Sequence, residues 1–278
     1  MSDLTADKTR EIVREHYANV SKNNVGCAPG CCGPMPTGQS LSLGYTEGDL
    51  AAVPEGADLG LGCGNPNAIA ALKPGETVLD LGSGGGFDCF LAARAVGPTG
   101  RVIGIDMTPD MISRARENAR KIEAKNVEFR LGEIEHLPVA DQTVDAIMSN
   151  CVINLSPEKE AVFSEALRVL KPGGRLAISD VVATAPIPPE LQSQAAALAG
   201  CIAGASPLDE LEQMLARVGF VGVEVTIAPS SAAIVESWLE GASKFIASAT
   251  IEARRPDPNA QQSDTKESSS CCPPRCCP

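Results

Sequence analysis

Along the first two dozen positions apolar residues recur among charges at helical spacing. Ile12, Val13 and Tyr17 in this stretch predict an amphipathic helix over 5–22. From Glu76 the period shortens. TVLDLG (77–82) and RVIGID (101–106) are short β-branched runs, and helical segments follow them from Gly86 and from Thr108. NVEFRLG (126–132), VDAIMSN (144–150) and GGRLAISDVV (173–182) continue the series, with a helix near 157–170 before the last. Leu191, Ala195, Leu198 and Ile202 line one face of a helix expected over 188–203. Another helix is expected at 207–218, then strands in FVGVEVTI (220–227) and KFIASATIEARR (244–255). Strands alternating with helices predict an α/β fold, a Rossmann-like doubly wound sheet that is mostly parallel with an antiparallel last strand. In such sheets ligands gather at the carboxyl ends of the strands.

Two stretches break the pattern. Val25–Gly38 is too rich in Gly, Pro and Cys to be regular, and a loop-and-short-helix lead-in then runs to the Gly62–Cys63–Gly64 turn. From Pro256 the chain is polar and turn-rich, and a disordered tail is expected.

Composition narrows the function. The formal charge of -12 opposes nucleic acid and anionic membranes, and an aromatic content of 3% leaves few base-stacking platforms. The charged N-terminus lacks the apolar core of a secretory signal, and no run is long enough to span a bilayer. A cytoplasmic protein is expected. In that setting 11 cysteines suggest metal binding, catalysis or redox chemistry rather than a disulfide framework. They cluster at Cys27, Cys31 and Cys32 and at Cys271, Cys272, Cys276 and Cys277; Cys63, Cys89, Cys151 and Cys201 stand singly.

The sharpest local motif is VLDLGSGGGFD, where Asp80, Gly82, Gly84 and Gly86 bracket a strand-to-helix turn. Glycines let a ligand approach the backbone closely. The dinucleotide fingerprint would need glycine where Phe87 stands, and a carboxylate at Asp80 suits an ammonium group better than a pyrophosphate. Asp106, at the tip of the second strand, is placed to accept ribose hydroxyls. A sulfonium amino-acid cofactor is favoured over a dinucleotide.

These residues resemble the class I S-adenosylmethionine methyltransferase family over roughly 70–185, through LKPGETVLDLGSGGG, VIGIDMTPDMI, GEIEHLP and LKPGGRLAISD. The resemblance implies that Asp80 and the Gly82–Ser83–Gly84–Gly86 loop face the methionine portion. Asp106 would meet the ribose, Met107 the adenine, and Glu133 and Ile134 the adenine edge, with Asn150 near the transferable methyl.

Singly, Cys151 and Cys201 read as small buried hydrophobes. Cys63, between two glycines, reads as exposed and reactive. Together LGLGCGNP, SNCVINL and GCIAGAS resemble the arsenite S-adenosylmethionine methyltransferase family, the match covering about residues 40–255. By that resemblance Cys63, Cys151 and Cys201 bind trivalent arsenic. The resemblance also implies that an N-terminal cysteine, Cys32 or its neighbour Cys31, can pair with Cys63, and that a thiol reductant (thioredoxin or glutathione) serves as co-substrate. The expected division is 1–66 as an N-terminal cysteine-containing extension, 67–184 as the cofactor domain, 185–255 as the arsenic-site lobe and 256–278 as a Cys-rich tail. Soft thiolates suit a soft centre, and a three-thiolate pyramid would aim the arsenic lone pair outward at a methyl group. Two other readings stay open at this point: a methyltransferase acting on carbon, oxygen or nitrogen of a small metabolite, and a thiol-rich metal-binding protein.

Overall fold

The computed structural model describes residues 5–23, 39–189 and 201–259. Cys27, Cys31, Cys32, the four terminal cysteines, the tail from residue 260 and the expected helical positions Leu191, Ala195 and Leu198 lie outside the described residues.

The helices are α1 (Ala6–Asn23), α2 (Gln39–Ser42), α3 (Glu47–Ala51), α4 (Pro66–Ala70), α5 (Phe87–Val96), α6 (Pro109–Lys121), α7 (Lys159–Val169), α8 (Leu208–Val218) and α9 (Ser231–Trp238). The strands are β1 (Thr77–Leu81), β2 (Arg101–Asp106), β3 (Val127–Leu131), β4 (Val144–Asn150), β5 (Leu170–Ala183), β6 (Ser206–Pro207), β7 (Val221–Ile227) and β8 (Ile246–Arg254). Where they are described the expected elements form, except that residues 201–203, expected as the end of the helix over 188–203, lie in a turn that runs to Gly204, a residue that favours turns over helix. Helix α9 was not anticipated: its eight residues follow the turn-rich APSS and offer barely two turns of pattern.

The sheet runs β3-β2-β1-β4-β5-β8-β7, with β6 against β5. Strands β1 to β5 pair in parallel, and β8 is antiparallel to both β5 and β7. Both faces are covered, so the central strands are apolar almost throughout. Leu79, Leu81, Ile103, Ile105 and Ile147 point one way, onto Val162 and Phe163 of α7. Val78, Val102 and Met148 point the other, onto Phe90 of α5 and Ile112 of α6. Burying each such side chain contributes about 1.5–3 kcal/mol, so the two layers fix the sheet firmly. The strand order reverses between β1 and β4, and a crevice opens there at the carboxyl ends of the strands. Among the described residues no helix is long and apolar enough to cross a membrane.

Candidate active site

A cavity fills that crevice. Asp80, Gly82, Ser83, Gly84, Asp106, Met107, Ile134, Asn150 and Cys151 all line it; the first eight are residues expected to meet the cofactor. Gly86 lies just behind, at the start of α5 with φ +93°. Glu133 points elsewhere: it pairs with Arg14 at 3.0 Å, and Glu135 lines the cavity in its place.

The loop is shaped for close approach. Gly82 and Gly84 have φ of +72° and +49°, and a β-carbon on Gly84 would meet nothing within 4 Å. The buried Ser83 hydroxyl has no partner. Asp80 is 3% exposed, and it accepts a hydrogen bond from the Cys89 thiol at 3.1 Å. Burial, and then the neighbouring Asp88 charge, push the Asp80 carboxyl well above the usual range. A carboxylate so short of partners is a receptor for an ammonium group. Asp106 accepts amides from Gly84 at 3.0 Å and Thr108 at 2.8 Å; burial raises its carboxyl against these bonds. The residues present therefore fit S-adenosylmethionine, whose ammonium group was expected at Asp80 and whose ribose was expected at Asp106.

Sequence patterns did not reveal how α1 closes the cavity. Arg10, Val13 and Tyr17 line it, and the buried Arg10 guanidinium pairs with Glu135 at 3.2 Å and with Glu158. Nor did they reveal the bonds that Asp88 accepts: from Tyr45 Oη and Asn67 Nδ2, both at 2.7 Å, and from Asn150 Nδ2 at 3.3 Å. Asn150 is also a brace for the Cys63 turn. Its Oδ1 accepts the Cys63 amide at 3.0 Å, and its Nδ2 donates to Gly64 O at 2.9 Å.

At the far edge of the cavity the thiols of three distant segments meet. The sulfurs of Cys63 and Cys151 and a carboxylate oxygen of Asp180 lie within 4.8 Å of one another. Cys201 Sγ donates to Cys151 O at 3.3 Å, and the Cys151 thiol touches those of both Cys201 and Cys63. Val181, Ile202, Val235 and Ile246 surround them, with Trp238 and Phe245 at the rim. The expectation that Cys63 is exposed fails, because it is 0% exposed. Its flanking glycines serve close packing: a β-carbon on Gly62 would lie 2.6 Å from Asn150, and one on Gly64 2.8 Å from Ser179. The turn is pressed into the ends of β4 and β5.

All three thiols are held protonated. Burial raises Cys63. Contact with Cys201 lowers Cys151, but contact with Cys63 and burial outweigh it and leave the thiol well above its ordinary value. Cys201 is raised by contact with Cys151 and then by burial. Asp180, in the same pocket, is pushed up to about 6 by burial, against hydrogen bonds from Val181, Asn154 and Ile153. Its signal in the sequence is a carboxylate set inside the apolar run LAISDVV.

The strand order, the glycine loop and the two acidic strand tips define an S-adenosylmethionine-dependent methyltransferase fold. A methyltransferase-domain family model matches residues 72–219. The arsenite methyltransferase of Halobacterium salinarum is 53% identical over 92% of this chain and 69% of its own length. That of Aquipseudomonas alcaligenes is 38% identical over 76% of this chain and 61% of its own. The crystal structure of an arsenic(III) S-adenosylmethionine methyltransferase from Chlamydomonas reinhardtii superposes with TM-score 0.60 at 33% identity, covering 80% of this chain and 75% of that one. The chain belongs to the arsenite methyltransferase family.

Proposed function

We propose that the protein transfers methyl groups from S-adenosylmethionine to trivalent arsenic, arsenite and then methylarsenite, held by Cys63, Cys151 and Cys201. The convergence of three thiols beside the cavity is the observation that carries this reading. Residues 67–184 would hold the cofactor and 185–255 would complete the arsenic pocket.

The protonation state of the pocket fits the substrate. Arsenous acid is neutral near pH 7, and condensing its three hydroxyls with three neutral thiols releases three waters without moving net charge. A divalent cation would instead require thiols to lose protons in a buried place that holds them on. That difference favours arsenic over a metal ion. Bound S-adenosylmethionine supplies an electrophilic methyl on a sulfonium. Asp80 would hold its ammonium group and Asp106 its ribose, while the thiols aim the arsenic lone pair at the methyl. No proton leaves the nucleophile, so no general base is needed. Orientation and exclusion of water by the apolar wall carry the catalysis.

Methyl transfer leaves arsenic formally pentavalent. Two thiols return it to the trivalent state by forming a disulfide, and a thiol reductant such as thioredoxin or glutathione then restores them. Cys32, or Cys31, would partner Cys63 in that disulfide. Such chemistry suits a reducing, cytoplasmic compartment and arsenic detoxification. The test is incubation with arsenite, S-adenosylmethionine and thiol, followed by separation of arsenic species. Methylated arsenic is the expected product, and unchanged arsenite with transfer to a carbon, oxygen or nitrogen acceptor would overturn the reading.

A further inference from the structure

The turn after β4 lies where the two substrates of the proposed reaction must meet. Its first residue, Cys151, has φ +58°, a left-handed backbone that residues with a β-carbon disfavour. Its second, Val152, packs on the cofactor loop: a β-carbon on Gly82 would come within 2.3 Å of Val152 Cγ2. One face of the turn therefore carries a thiol, and the other touches the loop that receives the methyl donor.

Asp180 and Asn154 hold this turn in place. Asp180 Oδ2 accepts the amides of Ile153 at 2.9 Å and Asn154 at 3.4 Å, at the start of the single 3-10 turn Ile153–Leu155. Asp180 Oδ1 accepts Asn154 Nδ2 at 2.9 Å and the Val181 amide at 2.7 Å. Asn154 Nδ2 also donates to Val181 O at 2.6 Å. Asp180 is 1% exposed and Asn154 8%. On the other side Lys159, whose charge faces Asp180, donates to Gly204 O in the turn that holds Cys201. Although an oxygen of Asp180 lies within 4.8 Å of two sulfurs, four N–H donors already occupy its lone pairs. Binding arsenic directly would strip those bonds, so the carboxylate is fitted to act through the turn.

We propose that Asp180 and Asn154 are positioning residues for methyl transfer. They clamp residues 151–154 so that the Cys151 sulfur stays in the thiol cluster while Val152 stays against the cofactor loop. The inference rests on the reading of Cys151 as an arsenic ligand.

The experiment compares Asn154→Ala, Asp180→Asn and Cys151→Ser with the wild type. It measures kcat per cofactor-binding site, KM for S-adenosylmethionine, and the number of sulfurs around bound arsenic by arsenic K-edge absorption. Misplacing a reacting group by about 1 Å costs about 100-fold, so Asp180→Asn should lose about that in kcat and Asn154→Ala about tenfold. KM for S-adenosylmethionine should stay near the wild-type value, and the sulfur count should fall from three to two in both. Asn154→Ala decides alone if Asp180→Asn does not fold. Wild-type kcat per site and three sulfurs in Asn154→Ala, whatever its melting temperature, would overturn the clamp if Cys151→Ser is inactive. If Cys151→Ser itself keeps the wild-type rate and three sulfurs, the ligand reading falls and the clamp with it.

Discussion

Two buried carboxylates, Asp80 at the end of β1 and Asp180 near the end of β5, are alike in burial and opposite in company. Among the described residues Asp80 accepts from one donor, a thiol, while Asp180 accepts from four, three of them backbone amides. Both are raised by burial, Asp80 further by the charge of Asp88. A buried carboxylate without partners is costly unless a ligand completes it, whereas a saturated one is a fixed part of the scaffold. The cofactor half of the crevice is thus left incomplete for a cationic ligand. In the thiol half the carboxylate is part of the frame, and the groups left for a ligand are sulfurs.

Removing a thiol should have the largest effect. Cys151→Ser or Cys201→Ser should abolish methylation of both arsenite and methylarsenite, because a hydroxyl is a hard, weak substitute for a soft ligand. Cofactor affinity should survive. Wild-type turnover of both substrates by either variant, with arsenic products separated and counted, would return that cysteine to core packing.

Asp106→Ala probes the other half. Losing two hydrogen bonds from neutral donors to a charged acceptor should weaken S-adenosylmethionine binding by about 2–4 kcal/mol. Arsenic binding should stay near wild type. Calorimetric titration that finds unchanged cofactor affinity would remove Asp106 from the site.

Cys63→Ser should divide the thiol half itself. Arsenite has three replaceable positions and methylarsenite two, so the variant should lose activity on arsenite and keep a substantial rate on the methylated substrate. Equal losses on both would mean that all three sulfurs serve every step.

Stability against pH separates the two carboxylates without any substitution. The Asp180 carboxyl sits at about 6 in the fold and near 3.8 when free. Its contribution is therefore fully present below about pH 4 and is lost as pH rises toward 6, by about 3 kcal/mol at 1.36 kcal/mol per pH unit. Asp80 and Asp106 push in the same direction. Saturating S-adenosylmethionine should reduce their share, because a cation favours the ionised carboxylate, and should leave the Asp180 share in place. Urea unfolding from pH 4 to 7, with and without cofactor, reads the difference. A slope that the cofactor abolishes entirely would mean that Asp180 does not titrate with the fold.

Sequence alone determined the alternation of strands and helices, and with it the sheet and the crevice at its carboxyl ends. Spacing in a strand or helix is a local property, so Asp80, the glycine loop and Asp106 were legible before any packing was known. Cys63, Cys151 and Cys201 could be named only through family resemblance, since they stand 88 and 50 residues apart and no local spacing joins them. Tertiary structure decided the rest. It buried Cys63, because Gly62 and Gly64 let its turn press against Asn150 and Ser179. It turned Glu133 toward Arg14 and brought Glu135 to the cavity, because α1 lies across that side and its basic residues choose their partners by position. It also made Asp180 the anchor of the Cys151 turn, where the sequence shows only an acid in an apolar strand. A side chain's partners depend on which elements pack around it, and that is settled by the burial of the whole sheet rather than by its neighbours in the chain.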